Sequence, residues 1–268
     1  MPMAHDSQFV GSVPEMYQQL MVPMIFAGAA DRLADQVAAR SPEHILETAA
    51  GTGVLTRAII QRCPAAQITA TDLNQPMIDV ASATSRGGDR VTWMQSDALD
   101  LKFGDETFDV VVCQFGAMFF PDKVRGYAEA SRVLRPGGAF VFNVWDRIEA
   151  NEVPQTIEQA LLRACPNPPL LFMSRTPHGY HDVNRIRAEL GEAGFSDVDI
   201  QAVDAVSRTT AADAAVAYCQ GTPLRGEIAA HPGLDVPSAT QIALDALVAR
   251  YGSGPIAAPI RSFEVVAS

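Results

Sequence analysis

The sequence predicts an α/β protein built on a doubly wound, largely parallel sheet. Three observations carry this expectation. Strand and helix patterns alternate between residues 44 and 145. Asp109 is followed by the unbroken apolar run Val110-Val111-Val112-Cys113, the pattern of a strand buried on both faces. The bend Ala49-Ala50-Gly51-Thr52-Gly53 joins a strand to a helix through small residues, so a ligand can lie against its backbone.

The elements follow in order. Ser12 and Glu15 have capping-box spacing, with Pro14 in the first turn. A short helix through Tyr17 and Met21 is expected to stop near Pro23, whose ring clashes with the preceding turn. A second helix fits residues 27–40, with Ala30, Leu33, Ala34, Val37 and Ala38 on one stripe. Strands are expected at 44–48, 67–71, 91–95 and 108–113, with helices at 54–62, 77–83 and 124–134. The turn Arg135-Pro136-Gly137-Gly138 leads into a strand at 139–145. Alternation then loosens, and residues 147–182, rich in proline, read as an insertion over the carboxyl edge of the sheet. A helix at 183–193 closes on Gly194, a strand spans 197–207, helices cover 211–219 and 237–251, and a last strand spans 258–266. The chain thus divides into an N-terminal helical cap (1–42), a core (43–146), an insertion or lid (147–182) and the remainder of the sheet with its helices (183–268).

Composition bounds the function. With 268 residues and 48% apolar content, the chain can bury a full core without disulfide or metal staples. The net charge of -11 argues against a nucleic-acid substrate, which would ask for a basic face. Cys63, Cys113, Cys165 and Cys219 are scattered, the spacing of reduced thiols in a cytoplasmic protein, not of a zinc site. The first residues show neither a basic nor an apolar region of the kind a signal peptide needs. No apolar run approaches the roughly 20 residues that span a bilayer.

The bend at residues 49–53 is the central feature. Taken alone, it suits a dinucleotide, a phosphate or adenosylmethionine, or it is merely a tight turn. Asp72 closes the second strand about 20 residues further on, where an acid can accept ribose hydroxyls. Asp97 follows the third strand, where its carboxylate and the amide of Ala98 can read an adenine edge; by itself Asp97 could equally cap a turn.

Glu47-Thr48-Ala49-Ala50-Gly51-Thr52-Gly53, Thr71-Asp72, Ser96-Asp97-Ala98-Leu99, the stretch from Phe108 to Gly116, and Val133-Leu134-Arg135-Pro136-Gly137-Gly138 occur in that order. Together they resemble the class I S-adenosylmethionine-dependent methyltransferases, in particular the broad group related to ubiquinone and menaquinone biosynthesis enzymes. The resemblance implies a Rossmann-like sheet of seven strands, mostly parallel, with an antiparallel last strand. It implies S-adenosylmethionine as cofactor. Glu47 would help hold the methionine amino end, and Ala49, Gly51 and Gly53 would lie beneath the methionyl and ribose parts. Asp72 would grip the ribose, Leu73 and Met77 would flank the adenine, and Asp97 and Ala98 would read its edge. Gln114 and Phe115 would line the sulfonium. Ala49 stands where the family has glycine, which a methyl group tolerates if φ is negative.

The competing readings are a non-catalytic adenosylmethionine binder and an NAD(P)-dependent oxidoreductase. Against the latter, Thr56 occupies the third-glycine position of a dinucleotide loop, and no Tyr-x-x-x-Lys pair occurs. For the acceptor, nucleobase-amine and glutamine methyltransferases resemble one another in an Asn/Asp-Pro-Pro-aromatic motif after strand four. Gln114-Phe115-Gly116-Ala117 stands there instead, and Asn167-Pro168-Pro169-Leu170 lies past strand five. A small-molecule acceptor is therefore expected. Its pocket should draw on Tyr17, Met21, Met118, Phe119, Phe172 and Tyr180, residues suited to a flexible apolar wall. Tyr17 is expected beside the transferred methyl, and His178 or His181 is a candidate base. His178 and His181 lack a third partner for metal binding, so no metal is implied. Oligomeric state is open, and a homo-oligomer is compatible with the sequence.

Overall fold

The computed structural model describes Asp6, Phe9, Gly11 and residues 13–268. Ser12, the expected cap, lies outside the described residues. Seven strands form one sheet: β1 (His44–Glu47), β2 (Gln67–Asp72), β3 (Val91–Gln95), β4 (Phe108–Gln114), β5 (Leu134–Trp145), β6 (Val198–Thr209) and β7 (Ile256–Ala267). Their order is β3-β2-β1-β4-β5-β7-β6. Strands β1 to β5 pair in parallel, and β7 runs antiparallel to both β5 and β6. This is the doubly wound, mostly parallel sheet with an antiparallel last strand.

Alternation of side chains across the strands makes two cores. Ile45, Ile68, Val110, Val112 and Val141 face one side. There they meet Leu33, Ala34 and Val37 of α2 (Ala27–Ala38), and Leu55 and Ile59 of α3 (Val54–Arg62). Leu46, Val111, Cys113, Phe140 and Phe142 face the other side and pack with Tyr127 of α5 (Lys123–Val133). Both faces of β4 are therefore dry, which is why its sequence shows no polar alternation. Truncating a fully buried residue such as Leu33 to alanine costs on the order of 2–5 kcal/mol.

Four elements depart from the sequence reading. The N-terminal helix does not stop at Pro23. A short helix α1 (Val13–Met16) continues as a π-helix over Tyr17–Phe26 and then as α2. The wider turn bonds five residues back, as in Ala27 N–H to Val22 O, and so accommodates a ring that would clash in a tighter one. Strand β5 begins earlier than expected: Leu134 pairs with Phe108 and Ala139 with Val110, so Arg135-Pro136-Gly137-Gly138 is a bulge inside the strand. Gly138 sits there because a Cβ would lie 2.8 Å from Asp109 O. The expected insertion holds a regular helix, α6 (Glu152–Ala164), and a short one, α7 (Phe172–Arg175). A further helix, α10 (Leu224–Ala230), lies between α9 (Ala211–Gln220) and α11 (Val236–Tyr251). Helices α6, α9 and α11 pack on one another, and residues of α6, α7 and α9 face the carboxyl ends of the strands across one cavity. The remaining α-helices among the described residues are α4 (Gln75–Thr84), between β2 and β3, and α8 (Val183–Glu192), before β6.

Candidate active site

A cavity of about 540 Å³ opens where the central strands end. This is the crevice at which doubly wound sheets bind ligands. One wall is built from the strand ends themselves. Gly51, with φ 56, leaves open space where a Cβ would project. The Asp72 carboxylate accepts the Gly51 amide at 2.9 Å and the Asn74 amide at 2.8 Å, tying the first bend to the end of β2. Burial pushes the Asp72 carboxyl above its ordinary range, while the Asn74 and Gly51 hydrogen bonds pull it back. Leu73, Met77, Asp97 and Ala98 continue this wall. Asp97 accepts the Leu99 amide at 2.9 Å. Ser96 Oγ is buried beside it without a hydrogen-bond partner.

The mouth of β4 is tied to the N-terminal cap. Gln114 Nε2 donates to Phe26 O at 2.9 Å, and Gln114 Oε1 is left buried and unpaired. Phe115 is held at φ 50, with its amide donating to Asn143 Oδ1 at 2.8 Å. Its ring stacks on Trp145 with centroids 3.9 Å apart. Backbone in this region costs about 1–3 kcal/mol and persists where surroundings over-determine it, often at functional sites. Ala49 is strained in the same way. Its φ is 52, so the condition under which a methyl group is tolerated there is not met: the methyl group sits in the left-handed region that the family's glycine reaches freely.

Glu47 and Gly53 lie behind this wall and are not part of it. Glu47 is 1% exposed and accepts the Thr56 hydroxyl at 2.5 Å. Burial raises its carboxyl to about 8 despite Thr56 and Arg57. Gly53, at φ 79, caps α3 beneath Trp93, where a Cβ would fall 2.7 Å from the indole.

The opposite wall is apolar and aromatic. Tyr17, Met21, Phe119, Phe172 and His178 all line the cavity. Tyr17 stacks on Phe26 with centroids 5.0 Å apart, both rings carried by the π-helix that runs through Pro23. Burial and the nearby Asp72 carboxylate raise its phenol, so the hydroxyl stays protonated at neutral pH. His178 is buried, and its Nδ1–H donates to Asp146 O at 2.8 Å. That bond leaves Nε2 with its lone pair. Burial lowers the imidazole to about 4, so the ring is neutral near pH 7 and weak as a base.

Two pocket expectations are corrected. Met118 packs wholly in the core, where its carbonyl accepts Lys123 Nζ at 3.3 Å. Tyr180 is turned into a buried cluster: it accepts from Tyr127 at 3.0 Å, donates to Glu189 at 2.5 Å, and lies 4.6 Å beneath Lys123 Nζ. Neither side chain reaches the cavity. His181 also lies off its wall, bonded to His178 O at 2.9 Å. Phe26, Asn74, Trp145 and Tyr218 line the cavity without having been singled out. Trp145 and Asn74 stand at strand ends, where the carboxyl-edge rule would have found them. Phe26 and Tyr218 are brought in by tertiary packing alone. Among the described residues, no group of His, Cys, Asp and Glu is arranged to hold a metal ion.

Residues 45–138, which contain this strand-end wall, match the family model described as a methyltransferase domain. The likeness is to one domain, over residues 45–138 of the 268 in the chain. The ubiquinone/menaquinone biosynthesis C-methyltransferase of Paracoccus denitrificans is 36% identical over 107 residues, which are 39% of this chain and 43% of that protein. The match thus spans less than half of that relative's length. A Bacillus halodurans protein assigned provisionally as a methyltransferase superposes over 90% of this chain and 98% of its own, with TM-score 0.58 and 20% identity. The [4+2]-cyclase SpnF superposes over 90% of this chain and 85% of its own, with TM-score 0.54 and 19% identity. These two likenesses establish the fold. The cofactor of such a methyltransferase domain is S-adenosylmethionine, and the wall suits it: a bare glycine cradle, two acids, and the unpaired Ser96 Oγ and Gln114 Oε1.

Proposed function

We propose that the protein transfers a methyl group from S-adenosylmethionine to a small molecule with an apolar body. The observation that carries this reading is a single cavity with two unlike walls, one of strand-end acids and bare backbone, the other of aromatic and methionine side chains. Bound S-adenosylmethionine would supply an electrophilic methyl on its sulfonium. Asp72 and Asp97 would hold the nucleoside, Gly51 would let it lie on the backbone, and Gln114 and Phe115 would flank the reacting end. The protein's own contribution is alignment and exclusion of water, which suffice for much of the rate when the electrophile is already reactive. Tyr17 and Phe26 close the site from the cap, and Phe172 closes it from α7. Among the described residues no lysine or arginine lines the cavity, which disfavours nucleic acid as the acceptor. No described helix is long and apolar enough to cross a membrane.

Calorimetric titration with S-adenosylmethionine and with NAD, followed by a labelled-methyl assay on a metabolite panel, tests the reading. Binding of the sulfonium nucleoside and transfer of label are expected. Binding without transfer to any acceptor would favour the non-catalytic alternative, and binding of NAD in its place would overturn the cofactor assignment.

A further inference from the structure

The acceptor wall offers a ligand few open polar groups: the Tyr17 and Tyr218 hydroxyls, which can donate as well as accept, and the His178 ring. The two charged side chains on the cavity surface, Asp72 and Asp97, both belong to the strand-end wall. Asn151 is spent on the backbone: its Nδ2 donates to Asp146 O, Arg147 O and Arg261 O, and its Oδ1 accepts from Arg261 N. The Thr222 hydroxyl donates to Tyr218 O at 2.7 Å and accepts from Leu224 N at 3.3 Å. His178 differs. Its Nδ1–H is committed to Asp146 O, and among the described residues nothing bonds to Nε2. The ring is locked in one tautomer and presents a pure acceptor among apolar neighbours, with Trp145 6.1 Å away, centroid to centroid.

We propose that His178 is a binding and specificity-determining residue whose Nε2 accepts a hydrogen bond from a hydroxyl or amine hydrogen of an uncharged methyl acceptor. The inference rests on the methyltransferase reading for the word acceptor, but the binding preference it names does not depend on transfer. An acceptor with such a hydrogen satisfies the ring; one without it leaves Nε2 desolvated and unpaired, a penalty the first does not bear. An anionic molecule meets no cation on the wall and repels the nitrogen lone pair. His178 stands outside residues 45–138, so the feature belongs to this chain's own insertion and not to the matched domain.

The test uses three flat probes on protein saturated with adenosylhomocysteine: 2-naphthol, which donates; 2-methoxynaphthalene, which cannot; and 2-naphthoate, which is charged. The expected result is binding of 2-naphthol at least about tenfold tighter than either of the others, tenfold being about 1.4 kcal/mol. In His178→Leu the naphthol preference over the methoxy probe should fall to within twofold, with adenosylhomocysteine affinity unchanged. In His178→Gln, whose amide oxygen can take the place of Nε2, much of the preference should return. Equal preference in wild type and His178→Leu, tight binding of 2-naphthoate, or no binding of any probe to wild type would overturn the proposal. Failure of adenosylhomocysteine to bind would instead sink the methyltransferase reading. The probe series, repeated without the nucleoside, still decides His178.

Discussion

Gly116 and Ala49 meet at the floor of the cavity, and their contact can be tested by exchanging which of them carries a methyl group. A Cβ added at Gly116 would lie 2.4 Å from Ala49 Cβ and 2.8 Å from Cys113 Sγ. Non-bonded carbons rest at about 3.5–4.0 Å, so one of the two backbones must move by roughly an ångström. Neither moves easily, since Ala49 is held at φ 52 and Phe115, next to Gly116, at φ 50. Gly116→Ala should therefore cost about 1–3 kcal/mol, as overpacking does. At about 2–4 °C per kcal/mol in a chain of this size, the melting midpoint falls by roughly 2–12 °C. Ala49→Gly relieves a left-handed alanine worth about 1–2 kcal/mol and loses about 0.5–1 kcal/mol to backbone entropy. Alone it should be close to neutral or slightly stabilising. Combined with Gly116→Ala it removes the shorter of the two collisions, so the pair should couple favourably by about 1–2 kcal/mol, within the range found for residues in contact. Urea unfolding of the four proteins, followed by both fluorescence and circular dichroism, measures the coupling and checks that the transitions coincide. If the two substitutions add within about 0.5 kcal/mol, the packing described here is wrong.

Two further predictions concern the cofactor wall. Asp72→Ala removes the acceptor of the Gly51 and Asn74 amides, so adenosylmethionine affinity should fall at least about tenfold by calorimetry, a loss of about 1.4 kcal/mol; unchanged affinity would mean the nucleoside binds elsewhere. Glu47, raised from 4.5 to about 8, binds its proton more tightly folded than unfolded. Its contribution to stability is complete below about 4.5 and is lost as pH rises through about 8. Glu47→Gln should therefore flatten the fall in unfolding free energy of the ligand-free protein across that window, and an unaltered pH slope would show that the carboxyl is ionised at neutral pH.

Much of the fold is legible in the residues because it rests on local pattern. The two-faced apolar run of β4, the stripe of α2 and the glycine-rich bend each announce their element, since burial on one face or two dictates residue type at fixed spacing. The acids at strand ends were legible for a related reason: a parallel sheet puts the ends of β1, β2, β3 and β4 side by side, so residues far apart in the chain share one edge. Legibility ended where a position is set by a partner that local pattern cannot name. Pro23 marks a stop by local rules, yet a wider helical turn absorbs it and carries Tyr17 onto Phe26. Tyr180 has the look of a pocket residue, but Tyr127, Glu189 and Lys123 draw it into a polar cluster of their own. The sign of φ at Ala49 is settled by the bend it must close. Residue pattern was enough for the alternation of the core strands and helices, the two-sided core and the edge at which a ligand would lie, because these follow from periodic burial. Which aromatic side chains face that edge, and which nitrogen of His178 is left bare, had to await the folded molecule, because those depend on contacts between segments that no spacing along the chain encodes.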